Sequence, residues 1–169
     1  MNFILAQVFG GIALILFIVS YFCNDKKLFF LIQIIGDIFY GLSFAVNLAL
    51  VAGINTFLSI IRGILFYIYE RKKKQIPYTW VTIFSALYLL VGVLFFKNYL
   101  DIMVMITPIL FTIAMWMKDM QKIRYFVLVP SVILVVYDIL SQVYTTAILD
   151  CINVIVLIVA LIKYRQKRV

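Results

Sequence analysis

Seven apolar stretches constrain this chain more than any other feature of its sequence. Each is near the length that a helix needs to cross a hydrocarbon core, roughly 17 to 25 residues. The stretches are, approximately, Phe3–Cys23, Leu28–Val46, Leu50–Tyr69, Tyr78–Phe96, Leu100–Met117, Tyr125–Leu140 and Thr145–Ile162. They use most of the 169 residues, which leaves no room for a separate soluble domain. The sequence therefore predicts an all-α membrane protein with seven transmembrane helices.

Basic residues follow every second stretch. They are Lys26 and Lys27 after the first; Arg71, Lys72, Lys73 and Lys74 after the third; Lys118, Lys122 and Arg124 after the fifth; and Lys163, Arg165, Lys167 and Arg168 after the last. The other three connections hold only Lys97. Because Lys and Arg in short loops collect on the cytoplasmic face of a membrane, we expect the N-terminus outside and the C-terminus in the cytoplasm.

The composition narrows the function. A net charge of +8 could suggest a nucleic-acid partner. However, the basic residues are divided among four loops beside the membrane, where topology and anionic headgroups explain them better. The chain has no histidine, which excludes histidine-based metal sites and Ser–His catalysis. We therefore expect a protein of the lipid bilayer with no enzymatic activity, no cofactor, no metal site and no nucleic-acid partner.

The chain shows signs of an internal repeat. Ile15-Leu16-Phe17 precedes Asp25 by the same spacing that separates Ile109-Leu110-Phe111 from Asp119, and basic residues and an apolar stretch follow each aspartate. In both halves the first connection between spans is basic and the second is not, so the two helix triplets are expected to point the same way.

Parallel triplets need an odd number of linking helices, and the fourth span supplies one. The predicted architecture is 3+1+3: a first three-helix bundle in residues 1–74, a linker helix in residues 75–98 and a second three-helix bundle in residues 99–169. Solute carriers with a pathway between their halves use parallel repeats of this kind.

Part of the first half resembles a known family. The residues concerned are Ala6-Gln7 through Gly10, the loop Asn24-Asp25-Lys26-Lys27-Leu28, Gln33, and Asn55 with Ser59 and Arg62. In these residues, and in length and span count over the whole chain, the sequence resembles the YgjV family of bacterial inner-membrane proteins. The resemblance implies a multi-pass protein of the inner membrane. It also implies a transporter-like fold, similar in plan to the SWEET and SemiSWEET sugar transporters and the PnuC vitamin transporters.

The sequence departs from some of these relatives. The Pro–Gln pair of the PQ-loop relatives does not occur. Pro108 and Pro130 lie in the fifth and sixth spans, and SWEET-like carriers use proline at comparable places to bend helices. The resemblance therefore implies two hinges. The alternative is that these prolines only shape helix packing, as proline often does in membrane helices.

Four ionisable side chains lie within the predicted spans, at Asp37, Arg62, Asp138 and Asp150. Such side chains are costly in a membrane and usually face a bundle interior or a wet cavity. At about 1.5 Å per residue, Asp37 and Arg62 come to the same level on adjacent helices. We expect an ion pair between them, which serves either as a structural brace or as a gate that opens during transport.

The other polar side chains within the spans are expected farther from the cytoplasmic face of the membrane. Asp138 and Asp150 come to roughly 20 Å from the inner face, with Asn55 at a similar height and Asn153 slightly deeper. We interpret the two asparagines as repeat counterparts. They fall near the positions where SWEET-like carriers place an asparagine against the sugar. The four side chains either line a central cavity or only bond neighbouring helices, and the surplus aspartates could hold a proton or a cationic substrate.

Three mid-span residues complete the predicted pathway. Tyr40 and Tyr137 are interpreted as counterparts on the second and sixth helices, and Gln33 lies on the second. The first hypothesis for function is a carrier for a small solute that works by alternating access, with the solute contacts among these side chains. The alternative is a non-transporting assembly or regulatory subunit that retains the fold. Two repeats could form a whole pathway in a monomer, so a homo-oligomer is compatible with the pattern but not required.

Overall fold

The computed structural model describes residues 2–46 and 50–165, and these residues form seven α-helices and no strand. The helices are α1 (Asn2–Tyr21), α2 (Lys26–Val46), α3 (Leu50–Arg71), α4 (Tyr78–Leu94), α5 (Asp101–Trp116), α6 (Met120–Leu140) and α7 (Tyr144–Arg165). The all-helical class is confirmed for this part of the chain. Lys167 and Arg168, which contributed to the predicted charge pattern, lie outside the described residues.

The bounds of six helices lie close to the apolar stretches, and α6 is the exception. It begins at Met120, five residues before the predicted Tyr125. The difference has a local cause, because the carboxylate of Asp119 accepts a hydrogen bond from the backbone N–H of Gln121 and caps the helix there. A first turn that carries Lys122 and Arg124 is too polar for hydropathy alone to include it.

Five of the helices are long and apolar enough to cross a membrane. They are α1, α2, α3, α6 and α7. The remaining two are apolar but shorter, with 17 residues in α4 and 16 in α5. At about 1.5 Å per residue, α5 is about 24 Å long, less than the hydrocarbon core of about 30 Å. Five of the described helices are therefore able to span a membrane, while seven crossings and the direction of the termini stay predictions.

The chain divides into two compact units. The first ends at Pro77 and holds α1 to α3, with α2 packed against both α1 and α3. The second begins at Tyr78 and holds α4 to α7, with each helix packed against the next along the chain. Within the second unit α4 packs against α5. A linker role for α4 between two three-helix bundles remains a prediction.

The two units repeat one helical plan at a fixed spacing. Adding 94 to the bounds of α2 gives the bounds of α6, and adding 94 to those of α3 gives those of α7. The predicted partners Asp25 and Asp119 share this spacing and also share a role. Each carboxylate accepts a 2.9 Å hydrogen bond from the backbone N–H two residues on, and each carbonyl accepts one from the N–H four residues on. The helix bounds and the two capping aspartates therefore share one spacing of 94 residues, while the arrangement of two repeats stays a prediction.

Several positions that are equivalent by the 94-residue spacing are buried in both units. Residues that are buried in both units and lie 94 apart include Phe29 and Ile123, Phe30 and Arg124, Gln33 and Val127, Gly36 and Pro130, Gly63 and Leu157, and Phe66 and Ala160. Residue identity is lost at all six pairs, but burial is kept. This explains why the repeat is hard to recognise from identities alone.

Candidate functional site

Asp37 lies on α2 and Arg62 on α3, two helices that pack against each other. Arg62 is only 3% exposed, and its guanidinium interacts electrostatically with the carboxylate of Asp37. A buried cation needs such compensation, because a charge removed from water without a partner costs several kcal/mol, of order 3–5. The arrangement can brace α2 against α3. Whether it also opens as a gate stays a prediction.

Asn55 on α3 and Asn153 on α7 share an unusual property. The side-chain oxygen Oδ1 of each is enclosed by protein, and within the described residues neither oxygen receives a hydrogen bond. A buried amide oxygen without a donor costs about 1–3 kcal/mol. Each oxygen can still accept a hydrogen bond from a donor that reaches it, so Asn55 and Asn153 are candidate ligand contacts.

The fixed spacing corrects one part of the interpretation from sequence. Asn55 is the sixth residue of α3 and Asn153 is the tenth of α7, so the position equivalent to Asn153 is Ser59. The asparagines are not exact counterparts. They occupy positions one helical turn apart along equivalent helices, a difference of about 6 Å in helical rise, and hence lie on nearly the same face of their helices. The tyrosine pairing is also wrong, because the position equivalent to Tyr137 is Ser43 and not Tyr40.

Polar side chains meet where α6 ends and α7 begins. The carboxyl groups of Asp138 and Asp150 lie close enough to interact, with Thr146 beside the first and Asn153 beside the second. The Thr146 hydroxyl also donates a 2.9 Å bond to the carbonyl of Val143. In the described part of the chain neither carboxyl group forms an ion pair. Acceptor oxygens outnumber donors in this cluster, so it attracts positive charge or hydrogen-bond donors.

Gln33 takes part in an interhelical bond that the sequence did not indicate. Its Nε2 donates to Oγ of Ser20 at 2.7 Å, and that hydroxyl donates to the carbonyl of Phe17 at 2.6 Å. The chain of bonds fastens α2 to α1, and both polar side chains are buried. The amide nitrogen of Gln33 is thus engaged within the first unit. The prediction that Gln33 contacts a solute therefore concerns its side-chain oxygen, Oε1.

The two tyrosines predicted to line a pathway lie on α2 and α6. The ring of Tyr40 contacts Phe17 edge to face, with centroids 6.1 Å apart, and Phe44 at 4.3 Å. The side chain of Tyr40 is still 38% exposed. Tyr137 is half-buried near the end of α6, and its carbonyl accepts the N–H of Ser141. Both remain predicted solute contacts.

The prolines predicted as hinges lie inside helices, Pro108 in α5 and Pro130 in α6. A proline removes one backbone hydrogen bond and tends to kink a helix. Hydroxyl groups bond to carbonyls beside each proline: Thr112 donates to the carbonyl of Pro108 at 2.7 Å, and Ser131 to that of Val127 at 2.9 Å. Neither bond goes to the carbonyl that loses its N–H partner to the proline, which is that of Val104 for Pro108 and that of Phe126 for Pro130. The two bonds are compatible with both a hinge and a static bend.

Sequence reasoning missed three features at the ends of the helices. Within the described residues, both polar atoms of the Gln121 amide are buried without a partner. Lys26 Nζ lies 3.2 Å from Glu70 Oε2, and the guanidinium of Arg124 lies over the ring of Tyr164 at 4.3 Å. Glu70 and Tyr164 are 94 residues apart. An ion pair thus joins the start of α2 to the end of α3 in the first unit. A cation–π contact joins the start of α6 to the end of α7 in the second unit.

Among the described residues, no group of three or more Asp, Glu or Cys side chains is placed to hold a metal ion. The chemistry that the polar side chains offer is therefore hydrogen bonding and charge, through the amides of Asn55 and Asn153 and the carboxyl groups of Asp138 and Asp150.

Comparison with known protein families identifies the family to which this chain belongs. The family model Imp-YgjV, described as a bacterial inner membrane protein, matches residues 4–168. The chain belongs to the YgjV family. With five helices in residues 2–46 and 50–165 able to span a bilayer, this YgjV protein is a multi-pass protein of the bacterial inner membrane. Neither the curated proteins nor the solved structures compared with it include a significant match. The likeness to SWEET and PnuC transporters thus stays an implication of the resemblance.

Proposed function

We propose that this YgjV protein carries a small solute across the inner membrane by alternating access of two repeated halves, and that it is not an enzyme. The proposal is supported by the fixed spacing of 94 residues between α2 and α6 and between α3 and α7. Parallel repeats are a common plan among carriers. In the proposed topology the N-terminus is outside, the C-terminus is in the cytoplasm, and the two halves share one orientation.

The observation that carries the proposal is the pair of enclosed amide oxygens at Asn55 and Asn153. Each repeat contributes one, on equivalent helices and on nearly the same face. A solute that donates hydrogen bonds through hydroxyl, amide or amine groups would satisfy an oxygen of this kind. These two residues are the proposed principal contacts, with Tyr40, Tyr137 and Gln33 as further lining.

The charged side chains have supporting roles in this proposal. Asp37 and Arg62 brace the first unit or open as a gate. Asp138 and Asp150 attract a proton or a cationic group at the far end of α6. Pro108 and Pro130 supply bends in the second unit.

A panel of small polar solutes tests the proposal on purified protein, first by thermal stabilisation and then by uptake into proteoliposomes. Asn55→Ala and Asn153→Ala should each abolish stabilisation by the active solute and reduce uptake at least tenfold. Asn98→Ala is the matched control, because Asn98 is exposed in the α4–α5 connection. Uptake that survives both substitutions in the two amides would refute the assignment of the solute contacts.

The alternative, an assembly or regulatory subunit, is supported by a different observation. An open groove of about 270 Å³ between α6 and α7 is lined by Val132, Val135, Val136, Cys151, Val154 and Ile155. A partner helix could pack there. If no solute stabilises the protein, and Val135→Trp prevents its assembly with a second membrane protein, the subunit function replaces the carrier.

A further inference from the structure

The basic residues at one end of the first unit differ in burial and in whether their charge is paired. We define this basic end as Lys26 and Lys27 at the start of α2, and Arg71, Lys72, Lys73 and Lys74 at the end of α3. The Lys26–Glu70 contact of 3.2 Å brings the two basic segments together. Six basic side chains and the acidic Asp25 and Glu70 leave a net charge of +4 there.

The run after α3 is held in a defined turn. Lys73 adopts a left-handed backbone conformation with φ 54°. The N–H of Lys73 bonds to the carbonyl of Glu70, and the N–H of Lys74 bonds to that of Tyr69. This pattern is the Schellman motif that commonly ends a helix. The turn fixes the start of the run against the last turn of α3, so the basic side chains are presented at the end of the helix.

The four side chains of the run are exposed and uncompensated. Arg71, Lys72, Lys73 and Lys74 are all exposed. In the described part of the chain they form no ion pair, side-chain hydrogen bond or ring contact. Lys26, in contrast, is 9% exposed and paired with Glu70. Lys26 therefore stabilises the fold of the first unit. The side chains of the run after α3 are available to a partner outside the protein.

The position of the run selects the partner. It directly follows α3, one of the helices able to span the bilayer, so it lies at the level of the lipid headgroups. Basic clusters immediately beside a transmembrane helix bind anionic lipids, with about fivefold in affinity for each Lys or Arg near the surface. We propose that the basic end of the first unit is a docking surface for the phosphate headgroups of anionic phospholipids.

The test is a binding titration of detergent-purified full-length protein with short-chain phosphatidylglycerol at low salt, with phosphatidylcholine of the same chain length in parallel. Lys73→Gln should weaken phosphatidylglycerol binding about fivefold, and Lys72→Gln with Lys73→Gln about twenty-five-fold. The backbone can retain its conformation, since Gln142 holds φ 59° at the end of α6. The matched control is Lys97→Gln, an exposed lysine whose connection has no other basic residue, and binding should change less than twofold.

Three results would overturn the proposal. Binding of phosphatidylcholine with equal affinity would remove the role of charge. Equal losses in Lys73→Gln and Lys97→Gln would remove the role of the basic end. Competition by inorganic phosphate at equal concentration would assign the surface to a free anion instead of a lipid. Lys72→Arg with Lys73→Arg should bind as the unchanged protein does, which separates loss of charge from loss of folding. The outcome is independent of solute transport.

Discussion

The contact between Arg124 and Tyr164 allows a quantitative prediction. The guanidinium lies 4.3 Å from the ring centroid and Arg124 is 1% exposed, so the cation is removed from water. Cation–π contacts contribute about 0.5–1 kcal/mol at exposed sites and about 2 kcal/mol when desolvated. We therefore expect a coupling free energy of about 2 kcal/mol between these two side chains.

A double-mutant cycle measures this coupling. Arg124→Met, Tyr164→Leu and the double variant would be unfolded by SDS in mixed micelles, and the coupling is the departure of their free energies of unfolding from additivity. The same ring supplies the control, because Lys163 Nζ lies 5.8 Å from its centroid and Lys163 is exposed. The cycle of Lys163→Met with Tyr164→Leu should give less than about 0.5 kcal/mol.

The reasoning would be refuted by a coupling below about 0.5 kcal/mol for Arg124, or by equal couplings for Arg124 and Lys163. Either result would show that burial and distance do not determine how strongly the end of α7 is tied to the start of α6. Because each cycle subtracts the single substitutions, the cavity left by truncating Arg124 does not enter the coupling.

Three further predictions concern the first unit, and each is checked by the free energy of unfolding. Gly63→Ala should destabilise the protein by about 1–3 kcal/mol, because the new Cβ would come 2.9 Å from an isoleucine side chain of α2. Gly53→Ala on the same helix meets nothing within 4 Å and should be neutral or stabilising by up to about 1 kcal/mol. Lys73→Gly should stabilise by about 1 kcal/mol, because glycine adopts a φ of 54° without the Cβ penalty. Asp37→Asn should destabilise by about 3 kcal/mol by leaving the buried Arg62 without its carboxylate, and adding Arg62→Gln should recover part of the loss.

Each of these predictions has a contradicting result. Equal effects at Gly63 and Gly53 would show that close packing of α2 on α3 does not matter. Destabilisation by Lys73→Gly would show that the lysine side chain contributes more to the fold than its backbone conformation costs. Additive losses at Asp37 and Arg62 would show that the two charges do not interact.

Much of the fold follows from the sequence, for a simple physical reason. A helix that crosses a bilayer must be predominantly apolar, so hydropathy marks its ends. Helices α2 and α3 end within two residues of the predicted stretches. The start of α6 was missed because its first turn is polar. That turn packs through Arg124 against Tyr164, a contact between distant residues that hydropathy does not detect.

The polar residues were less predictable. Depth counting brought Asp37 near Arg62, because both positions depend only on the helical rise. It could not show that Gln33 bonds to Ser20, because that contact depends on which faces of α1 and α2 meet. The pairing of Asn55 with Asn153 was wrong by one turn, because matching residue types gave a spacing of 98 where the helix ends give 94.

The most direct test of the central claim is the sidedness of the two repeats. Single cysteines at Asn24 and Lys118, which are exposed, lie 94 residues apart and precede the starts of α2 and α6 by two residues, would be placed in a chain with Cys23 and Cys151 replaced by serine. Labelling with a membrane-impermeant maleimide, on whole cells and on inverted vesicles, reports the side of each. Two parallel repeats predict that both cysteines react only from the cytoplasmic side. Labelling of the two from opposite sides would contradict the proposed carrier architecture.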